Sequence, residues 1–139
     1  MNEGYGSALL KKPELVEDMV KTAKSRINNI PISIKIRVLK DISETIELAR
    51  RVEKIGCSFL TVHGRRPDQK STSAANLDAI KLVKESVKIP VLANGTIWTE
   101  KDVLETHQKT GVDGVMSAVI KIENKKQKIE NRKQTENKK

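Results

Sequence analysis

The sequence predicts an α/β fold, namely a partial (β/α)₈ barrel with about four strands and their flanking helices. Segments whose apolar residues recur at helical spacing alternate with short β-rich segments along the chain. Such alternation with short connections is typical of parallel βα units, which form either a (β/α)₈ barrel or a doubly wound sheet. Because a complete barrel takes roughly 250 residues, we expect the 139 residues of this chain to form about half of one.

The first helix and strand are predicted over residues 13–27 and 32–38. Apolar residues recur at helical spacing after Pro13, and acidic residues lie early in this segment, where the helix dipole favours them. The strand then alternates apolar and polar residues, which places Lys35 and Arg37 on one face. Since helices cover the outside of a parallel barrel, the isoleucines suit the outer face and Lys35 is expected to point inward.

The same pattern repeats three times. Residues 43–55 are predicted to be a helix closed by Gly56, and residues 58–63 a strand rich in β-branched and aromatic residues. The third pair is a helix over residues 77–87 and a strand over 90–93, and the fourth is a helix over 99–110, capped by Thr99, and a strand over 114–118. Four parallel strands are therefore expected in one sheet.

The chain divides into two regions of different character. Residues 1–119 are expected to form the partial barrel, whereas residues 120–139 contain a nearly repeated seven-residue basic segment. Each repeat has one apolar residue, which is too few for the paired apolar positions of a coiled coil. We expect this tail to be a disordered, solvated segment, although its basic charge could also attract RNA phosphates.

Composition restricts the compartment and the partners. The chain has 27 Lys and Arg against 18 Asp and Glu, a net charge of +9, so an anionic partner such as RNA is physically reasonable. A single cysteine, Cys57, excludes an intramolecular disulfide framework, and we expect no metal site. The lack of a signal-peptide pattern or a membrane-length apolar segment predicts an intracellular, most simply cytoplasmic, protein with no membrane partner.

Polar side chains occupy the carboxyl ends of the predicted strands, where barrel enzymes place their reactive groups. Lys35 faces either solvent or a buried anion, and Arg37 could instead form a structural salt bridge. His63 precedes Gly64, which permits close approach of a ligand, while Asn94 begins an Asn-Gly pair that forms either a simple turn or a phosphate contact. The sequence contains no nucleotide-binding glycine fingerprint, serine elbow or zinc-protease motif.

Five segments in register resemble the tRNA-dihydrouridine synthase family, in particular its eukaryotic 20a/20b-type branch. These segments are Glu3–Gly6, Ser33–Arg37, Thr61–Arg65, Pro90–Gly95 and Thr110–Met116. Each is weakly specific alone, but their order and spacing are similar to the family's central barrel strands. The resemblance implies a flavoprotein oxidoreductase that binds FMN, takes electrons from NADPH or NADH, and reduces uridine to dihydrouridine in the D-loop of its partner, tRNA.

The resemblance also implies roles for individual residues. The expected cofactor-binding residues are Lys35 and His63 at the flavin, Asn94, Gly95 and Thr96 on its phosphate side, and Ala118 at the end of the last strand. Arg37 and Arg65 are candidates for contacting the tRNA backbone or for fixing the pocket.

Departures from the family pattern lead to further expectations. The family's catalytic cysteine lies upstream of the Glu3–Gly6 segment and is therefore expected to precede Met1, so that no catalytic residue is assigned here. Thr96 stands where an acidic residue is usual, and Val119 where an arginine is usual. We therefore expect a chain truncated at both ends and inactive alone. The alternative function is an inactive fragment that acts at most as a basic RNA-associating or interaction module, and an open half-barrel is expected to pair with a second copy or another chain.

Overall fold

A computed structural model describes residues 6–27 and 29–118 of the chain. The elements in order are a short 3₁₀ helix (Gly6–Lys11), α1 (Pro13–Arg26), β1 (Ser33–Arg37), α2 (Ile42–Lys54), β2 (Phe59–His63), α3 (Leu77–Ser86), β3 (Val91–Asn94), α4 (Glu100–Thr110) and β4 (Gly114–Met116). Every predicted helix and strand is confirmed, with ends that differ by at most two residues. Part of the Glu3–Gly6 segment, Val119 and the basic tail lie outside the described residues.

The four strands form one parallel sheet in the order β1-β2-β3-β4. Each helix packs against the next, α1 on α2, α2 on α3 and α3 on α4, so the helices share one face of the sheet. A doubly wound sheet instead reverses its strand order and carries helices on both faces. The sequential order on one side is the winding of a (β/α)₈ barrel.

The hydrophobic core lies between the sheet and these helices. Its best-buried residues are Ile36 in β1, Leu60 and Val62 in β2, Val91 and Ala93 in β3, Leu48 and Val52 in α2, and Ile80 and Val83 in α3. Full burial of one such aliphatic side chain stabilises the fold by about 1.5–3 kcal/mol. Alternation along each strand therefore directs the intervening polar residues to the opposite face, where the candidate site lies.

Side-chain caps fix the starts of three helices at the rim of the sheet. The Asp41 carboxylate accepts a hydrogen bond from the Ser43 backbone N–H, and the Asn76 side chain accepts one from Ala79. Thr99 and Asp102 form a reciprocal capping box at α4, which confirms the predicted Thr cap. Because Asp41 caps α2, that helix begins at Ile42, one residue before its predicted start.

Both outer strands of the sheet have an open edge within the described residues. Large apolar side chains are exposed beside these edges: Leu15, Met19, Ile27 and Ile30 on α1 and the segment leading to β1, and Trp98 and Leu104 on α4 and the loop before it. A cavity of about 300 Å³ between α1 and β1 is lined mainly by aliphatic side chains. In the part of the chain that the model describes, no helix combines the length and apolar character needed to cross a membrane.

Candidate functional site

The carboxyl ends of the strands bring the predicted polar residues into one row. Parallel pairing aligns Arg37 with His63, His63 with Asn94, and Asn94 with Met116. Lys35 lies two residues before Arg37 in β1 and therefore on the same face, opposite the buried Ile36. The alternation predicted from the sequence thus places these side chains on the inner face of the half-barrel.

Two adjoining cavities open at this row. The first, of about 240 Å³, is lined by Gly6, Ser7, Leu10, Lys35, Ile36, Arg37, His63 and Asn94. The second, of about 250 Å³, is lined by Lys35, His63, Arg65, Asn94, Gly95, Thr96, Ile97, Trp98, Met116, Ser117 and Ala118. All eight residues proposed from the sequence line at least one cavity, and Lys35, His63 and Asn94 line both.

Lys35 and Arg37 bring positive charge to the site without a neutralising carboxylate. Lys35 is exposed, and no acid of the described residues lies within ion-pair distance of either side chain. The Arg37 guanidinium donates a hydrogen bond to the Arg66 carbonyl at 3.3 Å. The salt bridge considered for Arg37 is therefore absent from the described part of the chain, and the site is suited to an anion.

His63 is a buried imidazole held in its neutral form. The residue is only 9% exposed. Burial, followed by the positive charges of Arg37, Arg65 and Lys35, lowers the pKa of His63 from 6.5 to about 4. Its Nδ1 atom is buried and has no hydrogen-bond partner among the described residues. A buried polar atom without a partner is unusual in a native fold and commonly marks a functional position.

Arg65 is buried inside the site, where it joins two loops. Its Nε donates to the Ser73 carbonyl, and its Nη2 donates to the Thr96 hydroxyl at 3.0 Å. Its Nη1 faces His63 Nε2 at 3.5 Å. With only 7% of the residue exposed, this position fits the fixing of the pocket better than contact with an RNA backbone.

Gly95 and Thr96 form a left-handed turn directly after β3. Their φ angles are +107° and +57°, respectively. A left-handed non-glycine residue costs about 1–3 kcal/mol and is commonly retained at functional sites. The Thr96 hydroxyl accepts hydrogen bonds from Arg65 and from the Ala75 N–H, both at 3.0 Å, which hold the turn in place. Successive backbone N–H groups in such turns form small anion-binding concavities.

Asn94 and Ala118 occupy the β3 and β4 side of the second cavity. The prediction placed Asn94 just after its strand, but it is the last residue of β3 because it pairs with both neighbouring strands. Its Nδ2 donates to the Met116 carbonyl at 2.7 Å, so one of the two N–H groups of the amide holds β4. β4 ends at Met116, two residues earlier than predicted, so Ala118 lies beyond the strand, where it is exposed.

Sequence reasoning missed part of the cavity lining. Ser7 and Leu10 belong to the 3₁₀ helix, which is too short to produce a recognisable apolar period. Trp98 lies where a loop meets α4, a position typical of a packing residue, yet it is 49% exposed and lines the second cavity. Met116 lies in the fourth predicted strand, and its pairing with Asn94 places it at the second cavity.

Comparison with known proteins identifies the family. The model of the dihydrouridine synthase (Dus) family matches residues 1–125 of the chain. The chain belongs to the dihydrouridine synthase family. This confirms the resemblance drawn from the five sequence segments, each of which contributes at least one residue to the two cavities.

Curated relatives of the chain carry functional names. A mouse (Mus musculus) protein named tRNA-dihydrouridine(20a/20b) synthase NAD(P)+-like is 45% identical over 120 residues, covering 85% of this chain and 37% of the relative. The tRNA-dihydrouridine(20a/20b) synthase (NAD(P)+) of Schizosaccharomyces pombe is 41% identical over 125 residues, covering 89% of this chain and 38% of the relative. The chain therefore spans well under half the length of these relatives.

Solved structures confirm the fold class as a partial (β/α)₈ barrel. A mandelate racemase/muconate lactonizing enzyme-like protein from Rubrobacter xylanophilus matches with a TM-score of 0.60 and 26% identity, over 76% of this chain and 25% of that one. The N-acetylmannosamine-6-phosphate 2-epimerase of Clostridium perfringens matches with a TM-score of 0.55 and 21% identity, over 86% and 48% of the two chains. At 21% identity, the similarity to the epimerase shows the fold alone.

Proposed function

We propose that this Dus-family chain forms the cofactor-facing strands of a flavin-dependent tRNA-dihydrouridine synthase. The reaction would reduce uridine to dihydrouridine in tRNA, with NADPH or NADH as reductant and FMN as cofactor. The observation that carries the proposal is the convergence of Lys35, His63 and Asn94, from three neighbouring strands, on two adjoining cavities. The names of the curated relatives support tRNA as the substrate and a nicotinamide as the reductant.

The residues present fit FMN on chemical grounds. Among the described residues, the site combines a lysine with no carboxylate in ion-pair range, a His63 Nδ1 without a hydrogen-bond partner and the left-handed Gly95–Thr96 turn. These features suit an anionic ligand with acceptor atoms. Each cavity alone is smaller than the roughly 300–1,000 Å³ of typical ligand sites, but the two adjoin at three shared residues. When bound, FMN supplies hydride transfer, which protein side chains cannot perform.

On this proposal, each residue has a distinct task. The Lys35 ammonium would stabilise negative charge on the ring system of FMN, since the electrostatic interaction of a cation is stronger in a partly enclosed site than in water. The backbone N–H groups of Gly95 and Thr96 hold the phosphate. Arg65 holds the turn and the His63 ring in position. Arg37, at the cavity rim, remains the candidate for a phosphate of the RNA backbone.

The proton that completes uridine reduction must come from a group other than Cys57. Cys57 precedes β2, at the opposite end of the strands from the cavities, and is 3% exposed. Burial raises the pKa of its thiol, although Lys24 opposes this. We propose that the described residues bind and orient, and that the proton donor belongs to the remainder of the barrel, contributed by the same polypeptide or by another chain.

Flavin binding tests the cofactor assignment directly. We expect saturable quenching of FMN fluorescence by the full chain, and weakening of at least tenfold by Lys35→Ala, because loss of a charge-assisted contact costs about 1.5–3 kcal/mol. Lys88→Ala is the matched control, since Lys88 is exposed near the amino end of β3, away from the cavities. Equal affinity of both variants, or no binding by a folded chain, would refute the cofactor assignment.

A tRNA assay tests the location of the proton donor. The chain is incubated with unmodified tRNA, FMN and NADPH or NADH, and dihydrouridine is quantified by mass spectrometry of the digested RNA. If the proton donor lies elsewhere, we expect no product from this chain alone. Product formed by this chain alone would show that the chain itself includes the proton donor, contrary to the proposal.

A further inference from the structure

We propose that Arg65 is a positioning residue that holds the neutral His63 ring with its proton on Nδ1. The contacts that carry this inference all lie within the described residues and involve no bound cofactor. Only its relevance to uridine reduction rests on the function proposed above. The two can therefore be tested separately.

The Arg65 guanidinium is fixed by contacts on two separate loops. One contact reaches the Ser73 carbonyl in the loop after β2, and another reaches the Thr96 hydroxyl in the turn after β3, at 3.0 Å. The same hydroxyl accepts a hydrogen bond from the Ala75 N–H, which is a second contact between the two loops. With the guanidinium held at these points, Nη1 is directed at His63 Nε2, 3.5 Å away.

The chemistry of arginine determines which nitrogen of His63 carries the proton. A guanidinium has five N–H donors and no acceptor, so the ring nitrogen that faces it must present a lone pair. Nε2 is therefore unprotonated, and a neutral imidazole then carries its proton on Nδ1. The charged groups around the ring are the side chains of Arg37 and Lys35 from β1 and of Arg65 itself. Their charges oppose protonation of the ring, whereas a backbone hydrogen bond at Arg65 favours it.

The position of Gly95 reinforces this arrangement. A Cβ added at Gly95 would lie 3.1 Å from both Nε2 and Cδ2 of His63, so the glycine backbone closes this edge of the ring. The Nε2 edge is thus occupied by Arg65 and Gly95, whereas Nδ1 has no partner among the described residues. A ligand atom that contacts His63 Nδ1 is consequently expected to be a hydrogen-bond acceptor, such as a carbonyl or phosphate oxygen.

Nuclear magnetic resonance of the full chain labelled with ¹⁵N-histidine tests the inference without any ligand. The chain has two histidines, and a His107→Gln variant assigns the signals. At neutral pH we expect the long-range ¹H–¹⁵N pattern of a neutral ring with a protonated Nδ1 for His63. A pattern with the proton on Nε2, or a fully protonated ring, would overturn the proposal in the unmodified protein.

A pair of variants then tests the role of Arg65 itself. Arg65→Met should shift His63 towards the form with the proton on Nε2, which free histidine side chains prefer in water. Arg66→Met is the control, because the neighbouring guanidinium pairs with the exposed Asp68 and not with His63. An unchanged His63 pattern in folded Arg65→Met protein would contradict the inference. Should that variant fail to fold, the spectrum of the unmodified chain remains decisive.

Flavin titration of the same variants connects the inference to the proposed function. We expect Arg65→Met to weaken FMN binding about tenfold, as for the loss of one buried hydrogen bond, and Arg66→Met to leave it unchanged. If the unmodified chain shows the expected His63 pattern but binds no FMN, the proposed function fails and the positioning role stands. If FMN binds but the His63 proton is on Nε2, the positioning role of Arg65 is refuted and the proposed function stands.

Discussion

His63 lies among three cations but carries no charge of its own at neutral pH. Burial and the neighbouring Arg37, Arg65 and Lys35 together lower its pKa to about 4, so the positive charge of the site comes from side chains that remain ionised. A neutral ring can form a hydrogen bond with a ligand without adding a further positive charge that would repel these cations. The low pKa of His63 therefore depends on burial and on all three cations. It also makes the stability of the fold depend on pH.

The His63 pKa predicts a pH dependence of unfolding. The unfolded chain binds a proton at His63 near pH 6.5, whereas the folded chain does so only near pH 4. Ionisation of His63 therefore does not affect folding stability above about pH 6.5, and it lowers the free energy of unfolding as the pH falls from 6.5 to 4, by up to about 3 kcal/mol. Urea unfolding at intervals across this window measures the effect.

The control for this prediction is His63→Gln, which removes the imidazole at position 63 and leaves every other titrating group in place. Its free energy of unfolding should vary less between pH 4 and 6.5 than that of the unmodified chain. The carboxylates whose pKa values are lowered, including Asp102 and Asp113, act at lower pH in both proteins and cancel in the difference. Parallel pH profiles for the two proteins would contradict a neutral buried His63.

At the scale of single elements, the sequence predicted the strands and helices but not the contacts between their ends. Apolar periodicity reports which face is buried, and so it located α1 to α4, β1 to β4 and the inward direction of Lys35. It carries no information on how loops distant in sequence meet. The Arg65 contact with Thr96 joins residues 31 positions apart, and the short 3₁₀ helix lacks a period, so neither could be predicted.

The turn after β3 gives a prediction about its glycine. Gly95→Ala should destabilise the fold by about 2–4 kcal/mol, because it combines left-handed backbone strain with a Cβ placed 3.1 Å from the His63 ring. Gly111→Ala is the matched control: its φ is also positive, at +68°, but nothing lies within 4 Å of the added carbon. We expect only about 1 kcal/mol there.

Thermal or urea unfolding of both glycine variants separates strain from crowding. A larger loss for Gly95→Ala than for Gly111→Ala supports the close approach of the His63 ring to the turn. Equal losses would mean that backbone strain alone accounts for both, and that the ring does not press on Gly95. The same variant should also weaken FMN binding, since the turn is proposed to hold the phosphate.

At the scale of the whole molecule, the described residues form an open half of a barrel. The strands at both ends of the sheet expose unpaired backbone groups, and such edges commonly pair with further strands. Of the seven large apolar side chains exposed between residues 6 and 118, six belong to α1, α4 and the segments beside them, and the other is Leu82 on α3. This distribution indicates that the two flanks, rather than the helical back of the sheet, are surfaces that another part of a barrel covers.

The open flanks predict self-association of the isolated chain. Because an apolar flank and an unpaired edge lie at each end of one sheet, two copies can cover both edges of each other, and we expect a species of about twice the 15.6 kDa chain mass at micromolar concentration. Met19→Glu and Leu104→Glu, one on each flank, should each shift the protein towards monomer in sedimentation velocity. Leu82→Glu is the matched control, since Leu82 is similarly exposed, at 44%, on the helical back. A monomeric unmodified chain would contradict the prediction. If Leu82→Glu dissociated the dimer as strongly as the flank variants do, the interface would not be confined to the flanks.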